Sequence, residues 1–131
     1  MILGLDIGDK RVGVAIADFE SRVARPLTTL ANNRRLIGEL SRLQKVHGFT
    51  CIVIGLPMTL AGHVGDQARK TMELAERIKL KLLVNIVFED ERMTSKDATV
   101  RLSGITHNRS DVDALSASII LGSWLDRQRK S

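Results

Sequence analysis

Two apolar runs, Ile2 to Ile7 and Val12 to Ala17, are joined by only four residues, Gly8-Asp9-Lys10-Arg11. So short a connection predicts an antiparallel hairpin, with the first run as a central strand. A weaker third strand spans about Ala24 to Leu30, and Pro26, which cannot donate to a ladder, pushes it to the sheet edge. Asn32 or Asn33 can cap a helix to about Val46, with Leu36, Leu40 and Leu43 on one face and Gly48 as its stop. Cys51 to Gly55 reads as a short buried strand. A helix follows from about Asp66 to Lys79, turning Ala68, Met72, Ala75 and Ile78 inward. Leu82 to Phe88 is another apolar strand. Thr94 can cap a short helix through Leu102, and Ser110 a last one ending near Arg127. A hairpin start followed by this alternation implies an α/β fold, a mixed sheet with helices on both faces.

At 131 residues, 44% apolar and 27% charged, the chain fits one domain, 1–131, with one core. The single cysteine, Cys51, has no partner for an internal disulfide and reads as a small buried hydrophobe. Asp6 interrupts the N-terminal apolar run too early for a signal peptide, and no stretch approaches the roughly 20 apolar residues of a membrane span. The expected location is the cytoplasm, without a membrane partner. A net charge of +5 suits a polyanion such as nucleic acid. With aromatics at 3%, stacking platforms for bases are not expected.

Asp6 is the main anomaly. A carboxylate inside an apolar strand costs several kcal/mol unless it is paired or binds a cation. Alternation puts Gly4, Asp6 and Gly8 on one face, while Gly13, Ala15 and Ala17 form a small-residue face on the second strand. Aligned, the two would make a shallow floor with room for a metal or phosphate. The alternative is an Asp6 paired with Lys10 or Arg11. Asp113 shares a helical stripe with Ala117, Ile120 and Trp124, which should pack on the sheet. Its spacing from Ser110 also fits a capping box, and Asp111 is the exposed alternative. Glu89-Asp90-Glu91-Arg92 follows a strand directly, where open α/β sheets place ligands, although a solvated acidic turn reads the same way. Carboxylates from three such segments suit Mg²⁺ or Mn²⁺, and a metal pair of that kind serves phosphodiester hydrolysis.

The loop from Gly55 to Gly65 contains Gly62 and ends at a helix start, where free N–H groups can hold a phosphate. It lacks the Gly-Lys-Ser/Thr of a Walker motif. Lys10 and Arg11 are the cations nearest the acids. Arg34, Arg35, Arg42 and Lys45 read as a solvated helix face, and Arg127, Arg129 and Lys130 as a basic tail. His63 and His107 lack metal-ligand spacing.

Taken together, Gly4-Leu5-Asp6-Ile7-Gly8-Asp9-Lys10-Arg11-Val12-Gly13-Val14-Ala15, Ile54-Gly55-Leu56-Pro57 with Gly62 and Gly65, Asp90-Glu91-Arg92-Met93-Thr94, and Asp113 with Ser116, Ala117, Ile120 and Leu121 resemble the YqgF (RuvX-like) family. The resemblance runs in order along essentially the whole chain. It implies an RNase H-like fold with a mixed five-stranded sheet, and catalytic, metal-holding acids at Asp6, Glu91 and Asp113. It implies a metal-dependent nuclease that matures the 5′ end of pre-16S rRNA on a pre-ribosomal particle, or a Holliday junction resolvase acting on branched DNA. Lys10, Arg11, Arg92, Gly62 and Gly65 are then the expected nucleic-acid contacts. Ser116 and Ser95 depart from the Ala and Thr common in the family. Other RNase H-like resolvases carry an acid on the strand that here ends Gly55-Leu56-Pro57. A Glu one strand on can partly bridge the spacing of about 4.8 Å, which leaves Asp90 and Glu91 both open as the middle ligand.

Two other classes compete. Asp-x-Gly before a hairpin also opens sugar kinases and actin-like ATPases, but those need a second duplicated domain. A non-catalytic nucleic-acid-binding factor would keep the fold and use the acids structurally. RNA is favoured over branched DNA, because junction resolution requires a two-fold dimer and no residue pattern marks a dimer interface.

Overall fold

The computed structural model describes residues 1–93 and 109–129. Its elements are β1 (Ile2–Ile7), β2 (Arg11–Ala17), β3 (Ala24–Ala31), α1 (Leu36–His47), β4 (Cys51–Leu56), α2 (Asp66–Leu82), β5 (Asn85–Asp90), a 3₁₀ turn (Glu91–Met93) and α3 (Arg109–Arg129). The strands form a five-stranded sheet in the order β3-β2-β1-β4-β5. β1, β2 and β3 pair antiparallel, while β4 and β5 add in parallel on the other side of β1. The expected mixed sheet with β1 at its centre is what the chain builds. The helix expected from Thr94 lies outside the described residues.

Alternation along β1 divides the molecule into layers. Leu3, Leu5 and Ile7 point to one face, where Val12, Val14, Ile16, Ile52 and Ile54 join Leu36 and Leu40 of α1 and Leu74, Ala75 and Ile78 of α2. Each such aliphatic side chain gains roughly 1.5–3 kcal/mol on burial, so this layer supplies most of the cohesion. On the opposite face Ile2, Ala15, Ala17 and Val53 receive Ala117, Ile120, Leu121 and Leu125 of α3. The sheet side of this second layer is nearly flat. A Cβ on Gly4 would stand 2.8 Å from Leu121 Cβ and 3.1 Å from the Ala117 carbonyl oxygen, so α3 rests almost on the β1 backbone.

Pro26 sits on edge strand β3, opposite Ala15, where the register shifts in a bulge; its missing N–H breaks no regular ladder there. Asn33 Oδ1 accepts the Arg35 N–H in a turn just before α1, rather than capping the helix itself. Met72 was expected inward but is 41% exposed; the buried stripe runs through Ala68, Thr71, Leu74, Ala75, Ile78 and Leu82. α2 therefore continues to Leu82, and Leu83 ends it in a left-handed conformation at φ 56°. The strand expected from Leu82 accordingly begins at Asn85, and as a sheet edge it is only half-buried. Arg127, expected in a basic tail, belongs to α3 and pairs with Glu89. Arg34, Arg35, Arg42 and Lys45 are exposed. Cys51 is half-buried beside the α3 layer, and burial pushes its thiol pKa up. Among the described residues, no helix is long and apolar enough to cross a membrane.

Candidate active site

Leu5 and Ile7 turn into the α1–α2 layer, so Asp6 between them must turn to the α3 face. The strand register supplies the floor: Asp6 pairs with Gly13, Gly4 with Ala15 and Ile2 with Ala17. The two small-residue faces align as expected. Asp6 is half-buried at the open end of this floor.

α3 brings the second acid. A Cβ on Gly13 would overlap the Asp113 carbonyl group, so the helix crosses β2 directly above the residue paired with Asp6. α3 begins at Arg109, which puts Asp113 in its second turn rather than among the first N–H groups that a cap serves. Its carboxylate accepts a charge-assisted hydrogen bond, Arg11 Nε to Oδ2, at 2.7 Å. Arg11 opens β2 immediately after the hairpin turn, so the pair joins that turn to α3.

The end of β5 sorts three acids by alternation. Gly55 pairs with Glu89 and Leu56 with Asp90. Glu89 faces α3 and is fully buried; Ser123 Oγ donates to its Oε2 at 2.9 Å, and Arg127 pairs with its Oε1. Asp90 is held by Arg92, whose NH2 lies 2.6 Å from Oδ2 and whose backbone N–H donates to Oδ1 at 2.9 Å. That guanidinium keeps the Asp90 carboxyl below the usual carboxylate range. Glu91 opens the 3₁₀ turn and lies over Gly55, where a Cβ would come within 3.2 Å of its Cγ. Leu5 pairs with Ile54, so Asp6 and Gly55 are each one residue on and share a face. Of the two acids left open by the sequence, Glu91 lies on the Asp6 side and Asp90 is committed to Arg92. Among the described residues, no three Asp, Glu, His or Cys side chains form a group able to hold a metal ion. The acids share a face without forming a ligand sphere.

The remaining expected contacts are more dispersed. Lys10 is exposed on the hairpin turn. Gly62, at φ 85°, lies against Arg92, whose NH1 would stand 3.2 Å from a Cβ there. Its N–H is used within the loop, donating to the Thr59 carbonyl at 2.9 Å. Gly65 precedes α2 in an extended conformation, and its carbonyl accepts the Arg69 N–H. His63 is exposed, and His107 lies outside the described residues. The sequence reading missed the separate role of Glu89. Alternation alone gives no signal for it, because Ile86 and Phe88 on the other face are as apolar as Val87.

A family model described as "RuvX: Holliday junction resolvase" matches residues 1–127. The chain belongs to the RuvX family. Among its relatives, a protein of Sulfurihydrogenibium sp. (strain YO3AOP1), named "Putative pre-16S rRNA nuclease", is 41% identical over 96% of this chain and 90% of its own length. A Chloroflexus aggregans protein of the same name is 37% identical over 98% of this chain and 94% of its own. In three dimensions this RuvX-family chain is similar to T. thermophilus RuvC in complex with a Holliday junction substrate, with a TM-score of 0.63 at 12% identity, covering 98% of this chain and 95% of the other. It also resembles the Fowlpox virus resolvase, with a TM-score of 0.54 at 10% identity over 97% and 99% of the two chains. At such identities the likeness concerns the fold, which is RNase H-like.

Proposed function

We propose that this RuvX-family chain is a single-domain, divalent-metal-dependent nuclease that hydrolyses phosphodiester bonds of RNA in the cytoplasm, in maturation of the 5′ end of pre-16S rRNA on a pre-ribosomal particle. The observation that carries the reading is the sharing of one sheet face by Asp6, Glu91 and Asp113, two of them drawn together where Gly13 lets α3 descend onto the sheet. The names of the full-length relatives support RNA as the substrate.

Three carboxylates are an oxygen-only donor set, which fits Mg²⁺ or Mn²⁺. Asp6, Glu91 and Asp113 would hold the ion. When bound, such an ion stabilises charge developing on the oxygens of the phosphodiester. The chain's own residues do the rest. Arg11 holds Asp113 by one oxygen and orients the carboxylate. Lys10, exposed beside it, meets substrate phosphates. Arg92, fixed by Asp90 against Leu60 and Gly62, steadies the loop on the other flank.

The test is single-turnover cleavage of a precursor 16S rRNA fragment beside a four-way DNA junction, with Mg²⁺ or Mn²⁺. Wild type should cleave the RNA, and Asp6→Asn should slow cleavage by at least about a hundredfold, the scale of losing several kcal/mol of transition-state stabilisation. Full activity in Asp6→Asn would sink the mechanism. Cleavage of the junction alone would reassign the substrate to branched DNA.

A further inference from the structure

Beside the C-terminal end of β1, on the side of the sheet away from α3, lies a groove of about 410 Å³. Gly8, Asp9 and Asn32 form one wall, and α2 forms the other with Lys70, Thr71, Glu73 and Arg77. Its volume falls in the range of roughly 300–1,000 Å³ that encloses small ligands. Asn32 fixes the first wall: its Nδ2 donates to the Gly8 carbonyl at 2.7 Å, and its backbone N–H donates to the Lys10 carbonyl. The groove is therefore built on the same hairpin turn that follows Asp6.

One of its polar groups is buried without a partner, and its charges are open to a ligand. Thr71 is only 1% exposed, yet its hydroxyl has no hydrogen-bond partner, a costly state for a buried donor. Asp9, Lys70, Glu73 and Arg77 are all exposed, and among the described residues none of them forms an ion pair, although Glu73 and Arg77 stand four apart on one helix.

The mixed charge narrows the ligand. Asp9 and Glu73 would repel a bare polyanion, whereas Lys70 and Arg77 would attract one. A ribonucleotide meets both demands. Its phosphate suits the two cations, and its 2′-hydroxyl, a donor as well as an acceptor, suits a carboxylate and the Thr71 hydroxyl. From this we infer that the groove binds a ribonucleotide of the substrate strand, on the far side of the hairpin turn from the acids, and distinguishes RNA from DNA through the 2′-hydroxyl. The inference rests on the nuclease reading above.

Binding of a short single-stranded RNA and of DNA of the same sequence to the full chain, in EDTA so that the RNA survives, tests it. Wild type should bind the RNA several-fold more tightly. The Thr71→Val/Glu73→Gln double variant should weaken RNA binding and leave DNA binding alone, removing most of the preference. Lys70→Ala with Arg77→Ala should weaken both ligands roughly tenfold and flatten the dependence of log K on log salt by about one to two. Thermal melts control for folding, and Thr71→Val alone should melt no lower than wild type because the hydroxyl it removes is unpartnered. Equal binding of RNA and DNA by wild type, or a preference intact in the double variant, would overturn the inference. If that happens while wild type cleaves RNA and Asp6→Asn does not, the nuclease reading stands without the groove. If Asp6→Asn cleaves normally, the nuclease reading falls whatever the groove binds.

Discussion

The backbone of Asp113 occupies the space that a Cβ would take at Gly13, and Gly13 is the residue paired with Asp6 across the first hairpin. The missing side chain is what lets α3 carry Asp113 directly over the residue paired with Asp6. Gly13→Ala must therefore lift the start of α3 off β2, because the obstructing atoms are backbone and cannot rotate away. The expected loss is at least about 1–3 kcal/mol of stability, the scale of an overpacked core. Cleavage should fall by more than the folded fraction does. Thermal melts and turnover measured on the same samples separate the two effects.

The Arg11–Asp113 pair makes a different prediction. If Asp113 serves only to hold the hairpin turn to α3, Arg11→Ala and Asp113→Asn should each cost about 1 kcal/mol of stability, with turnover kept. As a metal-holding acid, Asp113→Asn should abolish metal-stimulated cleavage while Arg11→Ala reduces it only in part. We expect the second pattern, read by metal titration of single-turnover rates.

Asp90 and Glu91 separate by pH as well as by activity. Arg92 holds the Asp90 carboxyl low, so its contribution to stability is full above the ordinary Asp value of about 3.9 and is lost as pH falls through the lowered value. Asp90→Asn should thus melt slightly lower than wild type at neutral pH, with the difference vanishing in strong acid, and should keep cleavage within a few-fold. Glu91→Gln should do the reverse: little change in melting and a loss of cleavage of at least about a hundredfold. Melts across acid pH, run beside cleavage assays, check both.

Much of this architecture was legible in the residues because apolar alternation and a four-residue connection admit few folds. The central β1 and the edge position of β3 follow from the short hairpin connection, a period of two and Pro26, whereas the Asp6–Gly13 floor also depends on the hairpin register. The errors fell where two periods overlap. Leu82 ends an apolar helical stripe and begins an apolar stretch, and its packing in the core gave it to α2. Met72 is apolar, but its place on the helix faces solvent. Which of Asp90 and Glu91 lies on the Asp6 side depends on the 3₁₀ turn after β5, because that is where strand alternation stops. Thr71 in the groove gave no signal at all, since a threonine in a helical core stripe looks like any other.

Glu89 supplies the last prediction. It is fully buried, takes a hydrogen bond from Ser123 and pairs with Arg127, so it ties the later turns of α3 to β5 while Asp113 sits near the helix start. Glu89→Gln keeps the volume and an acceptor for Ser123 but loses the charge that faces Arg127. Because Arg127 is 42% exposed, its freed charge can turn to water, and the expected cost is about 1–2 kcal/mol rather than that of a stranded buried ion. Arg127→Ala should cost more than that, because it leaves the Glu89 carboxylate buried without its cation. In a double-mutant cycle the Glu89→Gln/Arg127→Ala protein should be more stable than the sum of the single losses allows, by at least about 0.5 kcal/mol. Strict additivity in thermal or denaturant melts would show that the contact contributes nothing to holding α3 on the sheet.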